Sequence, residues 1–472
     1  MGEEEETMAK KKVAVVGSGI AGSGIAALLA HSGDYEVDLY EKNKLIGGRF
    51  ASYDREGFRL DIGCHMIGSC DKGPMGEILN MMGQPDAVRW QYLETGASQF
   101  NYKGTDLLFP EEIHKLGFTD DEIQKILQFY ADTLSIPEDQ YDEYDKVNML
   151  EQVEKYIKND RARSLFGFIS GLCFVTRDYE TPVGEWARCN KAMRVKEAIG
   201  YPIGGTGAIP EAYVRIMEER GGRMHLAMPI KRIIVEDKVA KGVELKDGTT
   251  QQCDIVISNA GLKPTVGLLV GRRHYGKEFL KKVDGYEYSL CAAALKVALD
   301  EPFIKNKTMV LYFGTDDLYT REEEVEGGVI PEAMEILMVP ILSNVDPSCC
   351  PEGRQLLIAG AGVGSKALDI SPEDRKKWEQ AFINGLEVPF PGISEHIMWT
   401  NYTSPRDVEN LFGEDGNVIG IAQKLGQVGE NRPPIEDPQI KNLYHCSADS
   451  GVHGIGGELA ADSALRLFEM LK

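Results

Sequence analysis

The feature that most constrains the fold is a glycine-rich turn between an apolar run and an Ala/Leu-rich run, in "VAVVGSGIAGSGIAALLA". Val13 to Val16 are all apolar, which predicts a short strand buried on both faces of a parallel sheet. The Ala/Leu-rich run predicts a helix that ends near Gly33. "YEVDLYEK" then predicts a second strand ending at Glu41. Strand, glycine turn, helix, strand and terminal acid within about 30 residues indicate a Rossmann-like, NAD(P)-binding-like unit.

The three glycines have different physical roles in such a unit. Gly17 permits the tight turn, Gly19 lets the backbone approach a pyrophosphate, and Gly22 lets the helix pack closely on the strand. Ser18 and Ala21 belong to the same predicted phosphate-binding turn. The N-terminus of the helix offers unpaired N–H groups and positive dipole to phosphates. The alternative, a purely structural glycine turn, does not account for the acid that ends the second strand.

Glu41 indicates which dinucleotide is bound. A carboxylate at this position accepts hydrogen bonds from the adenosine ribose hydroxyls and repels a 2'-phosphate. FAD or NAD is therefore favoured over NADP, and Lys42 is assigned to the same site.

The next segment distinguishes FAD from NAD. "EKNKLIGGRFASY" places Gly47, Gly48 and Arg49 just beyond the ribose acid. It resembles the second glycine motif of the flavoprotein amine oxidase and phytoene desaturase superfamily, which lines the FAD pyrophosphate. Adjacent glycines expose backbone N–H groups, and an arginine adds a bidentate charge. Taken alone, the segment also fits a plain turn with a surface arginine.

Four later segments extend the resemblance, in order, to the C-terminus. "GFRLDIGCHMIG" is similar to the near-flavin stretch of phytoene desaturases, and "YPIGGTGAIPEAY" to their Y-P-x-G-G-x-x-x-I-P segment. "ENLFGEDGNVIGIAQKLGQVGENRPP" and "NLYHCSADSGVHGIGGELAADSALRLFEML" resemble their last two motifs. The chain thus resembles the phytoene desaturase-like branch (carotenoid desaturases, carotenoid isomerases, retinol saturases) of the FAD-dependent amine oxidase superfamily.

The resemblance implies further cofactor contacts. Ile230 would contact adenine through its main chain, Asn259 would lie near the phosphates, and Asp449 would lie near the ribityl chain. A helix starting at about Gly456 would point its N-terminus at the flavin N1–C2=O edge. The flavin-facing residues of this last motif would be Gly454, Ile455 and Gly456.

The resemblance also implies an α/β architecture of interleaved segments. A three-layer, Rossmann-like FAD-binding domain would combine with an α+β substrate domain that contains a mixed sheet. "SLCAAALKVALD", "KTMVLYFG", "AMEILMVPIL" and "RQLLIAGAG" predict strands of that sheet. The expected boundaries are 12–104, 200–265 and 395–472 for the FAD domain, 105–199 and 266–394 for the substrate domain, and 1–11 for a disordered tail.

Two histidines are the candidate catalytic residues. His65 lies in the near-flavin stretch, and His453 falls where the family often has proline. An imidazole beside the flavin can exchange a proton at neutral pH; the alternative is a structural histidine in each case. Cys446 is the cysteine nearest the last motif, but its local pattern does not match that of covalent flavoproteins, so noncovalent FAD is expected. The cysteine and histidine spacings fit no zinc site, and we expect no metal.

Composition limits the partners. A net charge of -22 argues against nucleic acid, although a local apolar patch can still contact a membrane. Nine cysteines without a C-x-x-C pair, and an N-terminus without a signal peptide, favour the cytoplasm. Peripheral membrane contact and a homodimer are left open, and the electron acceptor or donor is not identified.

The sequence therefore predicts an FAD-dependent oxidoreductase that acts on a hydrophobic, isoprenoid or polyene-like small molecule. Desaturation, saturation and isomerisation all remain open. The alternatives are a flavin amine oxidase and, from another class, a non-catalytic prenyl- or lipid-binding escort protein of the same fold. Retention of Glu41 and of the Gly47-Gly48-Arg49 motif argues against the escort protein.

Overall fold

The computed structural model describes residues 10–63, 66–93, 98–196, 199–364 and 370–472. The strands within these ranges are β1 (Lys11–Val16), β2 (Tyr35–Tyr40), β3 (Ser52–Arg55), β4 (Phe58–Asp61), β5 (Trp90–Tyr92), β6 (Ser98–Tyr102), β7 (Thr105–Leu108), β8 (Gly200–Pro202), β9 (Arg223–His225), β10 (Ile230–Glu236), β11 (Val239–Leu245), β12 (Thr250–Gln252), β13 (Ile255–Ser258), β14 (Cys291–Leu299), β15 (Met309–Phe313), β16 (Ile336–Pro340), β17 (Gln355–Val363), β18 (Ile397–Thr403) and β19 (Leu443–His445). The helices are α1 (Ile20–Ser32), α2 (Pro74–Met81), α3 (Asp120–Leu134), α4 (Tyr141–Tyr144), α5 (Met149–Glu154), α6 (Asp160–Phe174), α7 (Val183–Lys196), α8 (Ala208–Glu219), α9 (Leu262–Pro264), a π-helix (Thr265–Gly271), α10 (Lys277–Gly285), α11 (Leu318–Glu326), α12 (Leu342–Val345), α13 (Pro372–Leu386), α14 (Pro405–Phe412) and α15 (Gly457–Leu471).

A five-stranded parallel sheet, in the order β19-β13-β1-β2-β9, forms the part of the chain that the sequence predicts to bind the nucleotide and that is called the nucleotide-binding part below. Val13 in the central strand β1 pairs with Ile255 of β13 and Val37 of β2. The helix after β1 ends at Gly33, whose φ of 87° is the left-handed conformation of a glycine C-cap. The Rossmann-like prediction is confirmed.

The two faces of this sheet are covered by different layers. Val13 and Val15 pack with the buried faces of α1, α8 and α15. Ala14 and Val16 point to the other side and pack with the antiparallel meander β10-β11-β12. An all-apolar strand is required because both faces are buried. The predicted three-layer arrangement is confirmed.

The second sheet is mixed and has seven strands, in the order β18-β14-β17-β16-β15-β6-β7. The four strands predicted from apolar runs are β14 to β17, and β6 is parallel to β15 whereas the neighbouring pairs are antiparallel. Helices α3, α6 and α7 pack an aromatic cluster against one face, with Phe129, Phe166 and Trp186 at its centre. Helix α13 covers the other face through Trp378 and Phe382.

The predicted domain boundaries cross this mixed sheet. Strand β6 lies in the predicted range 12–104 and β18 in 395–472, yet both pair within the seven-stranded sheet. The boundaries stay a prediction, and this pairing favours moving them to before β6 and after β18. Strand β1 begins at Lys11, inside the predicted tail, and residues 1–9 lie outside the described ranges. Among the helices described, none is long and apolar enough to cross a membrane.

Candidate functional site

The glycine-rich turn joins β1 to α1 with the geometry that the sequence predicted. Gly17 has a φ of +100°. A Cβ on Gly22 would lie 2.0 Å from the Gly17 carbonyl oxygen, so only glycine permits this approach. A Cβ on Gly19 would lie 2.6 Å from Asn259 Oδ1. Gly19 caps α1 without a side-chain hydrogen bond, so the helix N-terminus is available to an anionic group.

Glu41 follows β2 and is 5% exposed. Its Oε2 accepts from the N–H and hydroxyl of Ser18 at 2.9 and 2.8 Å, and its Oε1 accepts from Asn43 N–H at 2.9 Å. A carboxylate oxygen accepts two hydrogen bonds, so Oε1 retains capacity for a ligand hydroxyl. The Glu41 carbonyl accepts from Met228 N–H, which brings the segment before Ile230 to this site. Lys42 is exposed beside it.

Arg49 is held by a residue that the sequence analysis did not identify. Its Nη2 donates to Glu414 Oε2 at 3.0 Å and its Nε donates to the Asn417 carbonyl at 3.1 Å. Burial, reinforced by the negative charge of Asp449, raises the pKa of Glu414 to about 7 despite the neighbouring arginine. Glu414 Oε1 is buried and has no hydrogen-bond partner within the described chain.

Asp449 joins three segments that are distant in sequence. Its two carboxylate oxygens accept from Leu262 N–H at 2.8 Å and from Ile421 N–H at 2.7 Å. A Cβ on Gly261 would lie 2.0 Å from Glu414 Oε1. Nearby, Asn259 Nδ2 donates to the Cys446 carbonyl at 2.7 Å. The structure therefore brings these predicted residues together, although their roles toward a cofactor stay predictions.

The C-terminal loop contacts α7, which lies in the range predicted as the substrate domain and called the substrate part below. Gly456 has a φ of 53° and caps α15, which starts at Gly457 as predicted. Ile455 packs against the aromatic cluster between α3, α6 and α7. His453 Nδ1 lies 2.9 Å from Oε2 of Glu185, a fully buried residue of α7 that was not identified from the sequence.

The other candidate histidine, His65, lies outside the described residues. The near-flavin stretch just before it contacts a fully buried lysine that was also missed, Lys296 of β14. Lys296 Nζ donates to the Ile62 carbonyl at 2.7 Å and to the Thr403 hydroxyl. In a strand that is otherwise apolar, the sequence gives no signal that its one lysine is a buried cation.

The donor and acceptor set fits a flavin dinucleotide. The open N-terminus of α1 suits a pyrophosphate, and Glu41 Oε1 and the unpartnered Glu414 Oε1 suit hydroxyl groups. Cys446, by contrast, is fully buried, and its Sγ lies 3.8 Å from the Ala21 carbonyl oxygen.

Comparison with known proteins agrees with this geometry. The model of the family "Flavin containing amine oxidoreductase" matches residues 20–456. A zeta-carotene-forming phytoene desaturase of Myxococcus xanthus is 24% identical and aligns over 93% of this chain and 90% of its own. The chloroplastic prolycopene isomerase of Arabidopsis thaliana is 25% identical over 94% of this chain and 79% of its own.

A solved oxidoreductase from Methanosarcina mazei shares the fold. Its TM-score is 0.73 at 21% identity, covering 97% of this chain and 100% of that one. The carotenoid desaturase and isomerase relatives match the phytoene desaturase-like branch predicted from the motifs. The chain belongs to the flavin-containing amine oxidoreductase family and is a flavin-dependent oxidoreductase.

Proposed function

We propose that the protein binds FAD noncovalently and acts on a hydrophobic, isoprenoid or polyene-like substrate by desaturation, saturation or isomerisation. The observation that carries this proposal is the extent of the match to the carotenoid desaturase and the prolycopene isomerase, 93% and 94% of the chain. Such coverage includes the substrate part as well as the nucleotide-binding part. The first relative is named for a desaturation, which is a net oxidation, and the second for an isomerisation. The direction of the reaction therefore stays open.

Bound flavin supplies two-electron redox chemistry, and the protein supplies binding, orientation and electrostatics. In this proposal Glu41 accepts the ribose hydroxyls and Arg49 balances the pyrophosphate charge. The N-terminus of α15 stabilises negative charge at the flavin N1–C2=O edge by about 0.3–1 kcal/mol, up to ~2 in a buried geometry.

The apolar interior of the substrate part supports a hydrophobic substrate. The aromatic cluster around Phe129, Phe166 and Trp186 extends to Met66, within the predicted near-flavin stretch, and to Ile455 in the C-terminal loop. Phe129, Phe166 and Trp186 are fully buried, so a polyene would contact the partly buried members of the cluster, such as Met66 and Ile455, rather than these three side chains.

Noncovalent attachment is supported by the environment of Cys446. Its side chain packs in the core beneath α1, and burial raises the pKa of its thiol to about 12. A thiol of this kind is unreactive, because the thiolate is the nucleophile.

A peripheral membrane contact is also part of the proposal. Leu268 in the π-helix is 78% exposed, and exposed cationic side chains follow it in sequence. These residues are Arg273, Lys277, Lys281 and Lys282, whereas Arg272 is paired with Asp284 at 2.8 Å. In a chain of net charge -22, an exposed leucine next to a local basic cluster suits an anionic lipid surface.

The test is anaerobic mixing of the purified holoprotein with candidate substrates while the flavin absorbance is followed. We expect a yellow protein whose flavin is released as FAD by acid precipitation and which converts a carotenoid or related isoprenoid. Rapid flavin reduction by a simple amine, with no conversion of isoprenoids, would establish the amine oxidase instead. A colourless protein that binds prenyl lipids but no flavin would establish the escort protein.

A further inference from the structure

We propose that Glu185 is a positioning residue that fixes His453 in the tautomer whose Nε2 exchanges a proton in the flavin-facing loop. The inference rests on the proposed function for the identity of that loop. It connects α7 of the substrate part with the C-terminal motif of the nucleotide-binding part.

The Glu185 carboxylate orients both the ring and the backbone of the loop. Its Oε2 lies 2.9 Å from His453 Nδ1, and its Oε1 accepts from Gly454 N–H at 3.0 Å. The same Oε1 accepts from Gln423 Nε2 at 3.1 Å. Two adjacent residues of the loop are therefore bound by one side chain, which fixes the ring plane relative to the backbone.

Neighbouring groups keep this carboxylate ionised. Burial alone would raise its pKa, but the hydrogen bond and charge of His453, the Arg188 guanidinium and Gly454 N–H together hold the pKa of Glu185 below its ordinary value. Arg188 also lies 3.7 Å from Asp145, whose own pKa burial raises to about 6. Asp145 accepts from Glu185 N–H at 2.6 Å and so holds the start of α7 in place.

An ionised carboxylate can only accept, so His453 Nδ1 must carry a hydrogen. In the neutral ring Nε2 is then the basic nitrogen. A proton that the ring takes up binds at Nε2, while Nδ1–H keeps its hydrogen bond to the Glu185 carboxylate. The resulting imidazolium–carboxylate pair has no net charge.

The exposure of the two residues differs in the way that this role requires. The His453 side chain is 42% exposed, whereas that of Glu185 is fully buried. A histidine that served only as a hydrogen-bond donor to a buried carboxylate would not need a solvent-exposed side chain. The open face leaves Nε2 able to reach a ligand or a water molecule.

The test is ¹⁵N NMR of the histidine-labelled holoprotein, with His453→Gln used to assign the signal. We expect the Nδ1–H tautomer in the wild type. In Glu185→Gln we expect a shift toward the Nε2–H tautomer, because a neutral amide can donate as well as accept and no longer requires a hydrogen on Nδ1.

Asp462→Asn is the matched control. Asp462 of α15 is a carboxylate near His453, but it accepts from Val452 N–H at 2.8 Å rather than from the ring. Its replacement should retain the wild-type tautomer. A wild-type Nε2–H tautomer, or an unchanged tautomer in Glu185→Gln, would overturn the inference. The tautomer can be measured without any variant and without turnover. The inference and the proposed function can therefore fail independently, since only the proposed function is refuted by failure to convert polyenes.

With a converted substrate, turnover provides a second readout. We expect kcat to fall in Glu185→Gln while KM changes little, because the ring stays in the loop but is no longer oriented for proton exchange. A purely structural role would change kcat and KM together.

Discussion

Arg49 donates to one oxygen of Glu414 at 3.0 Å across 365 residues of sequence, while the other oxygen of this buried carboxyl has no hydrogen-bond partner in the described chain. Glu414 also adopts a left-handed backbone, with a φ of 63°. The cationic side chain of the second glycine motif is therefore paired, and the carboxyl that pairs with it is held at the edge of the cofactor site.

The burial of Glu414 predicts how the stability of the flavin-free protein depends on pH. Burial raises the pKa of Glu414 from 4.5 to about 7, so the folded state binds this proton more tightly than the unfolded state does. The stabilisation is present below about pH 4.5 and is lost as the pH rises through 7, at a cost of up to about 3 kcal/mol. We expect Glu414→Gln to remove this part of the pH dependence in urea unfolding.

Glu409→Gln is the control for this experiment, because Glu409 accepts from Gly416 N–H nearby but is not buried. The charge of Glu409 also raises the pKa of Glu414, but less than burial or Asp449 does, so this variant should retain most of the wild-type dependence between pH 5 and 8. A wild-type dependence that persists in Glu414→Gln would show that other groups cause it.

Contiguous patterns made much of the fold predictable. The strand, turn and helix around Gly17 are encoded by neighbours in sequence, and the glycine caps at Gly33 and Gly456 mark helix ends by their backbone conformation. The apolar runs of β14 to β17 predicted strands for the same local reason.

Partners across the fold were not predictable in this way. In the sequence, nothing distinguishes Glu185 from the other polar residues of its helix. Its contact with His453 and Gly454 exists only because the fold places the C-terminal loop against α7. Lys296 is one polar residue in an apolar strand, and only the tertiary fold puts the Ile62 carbonyl at its Nζ. The assignment of β6 and β18 to the mixed sheet likewise depends on long-range pairing, for which local sequence carries no signal.

Replacement of the ribose acid should remove the cofactor. Glu41→Arg loses the acceptor of Ser18 and Asn43 and adds a cation to a buried position. We expect this variant to purify without flavin, measured as the ratio of flavin to protein absorbance.

Ser18→Ala is the milder comparison, because it removes the 2.8 Å hydroxyl contact with Glu41 and a 3.3 Å hydrogen bond from Gly47 N–H but leaves the carboxylate in place. The loss of one such hydrogen bond costs about 1.5–3 kcal/mol at a charged acceptor, so flavin should bind more weakly but still be detected. A fully flavinated Glu41→Arg protein would contradict the assignment of the opening motif.

The exposed leucine and its basic neighbours predict binding to anionic vesicles. We expect co-sedimentation with phosphatidylglycerol-containing vesicles, weak binding to pure phosphatidylcholine, and loss of binding at high salt. Leu268→Glu should reduce the bound fraction about tenfold, since it removes an inserted side chain and adds a repelled charge. Val329→Glu, at a valine that is 54% exposed in an acidic segment, should have no effect. Equal binding of the wild type and Leu268→Glu would show that this surface does not contact lipid.

The cap of α15 tests where the flavin lies. A Cβ on Gly456 would meet no protein atom within 4 Å, so a leucine side chain would extend into the space in front of the helix N-terminus. If the flavin ring occupies that space, Gly456→Leu should weaken flavin binding and lower the reduction potential, because the N–H groups of α15 no longer reach the N1–C2=O edge.

Gly83→Leu is the matched control, since Gly83 also has a positive φ, 68°, and open surroundings. Both variants should lose stability, because each places a side chain on a backbone whose positive φ favours glycine, and only Gly456→Leu should change the flavin. Unchanged flavin content and potential in Gly456→Leu would mean that α15 does not face the ring.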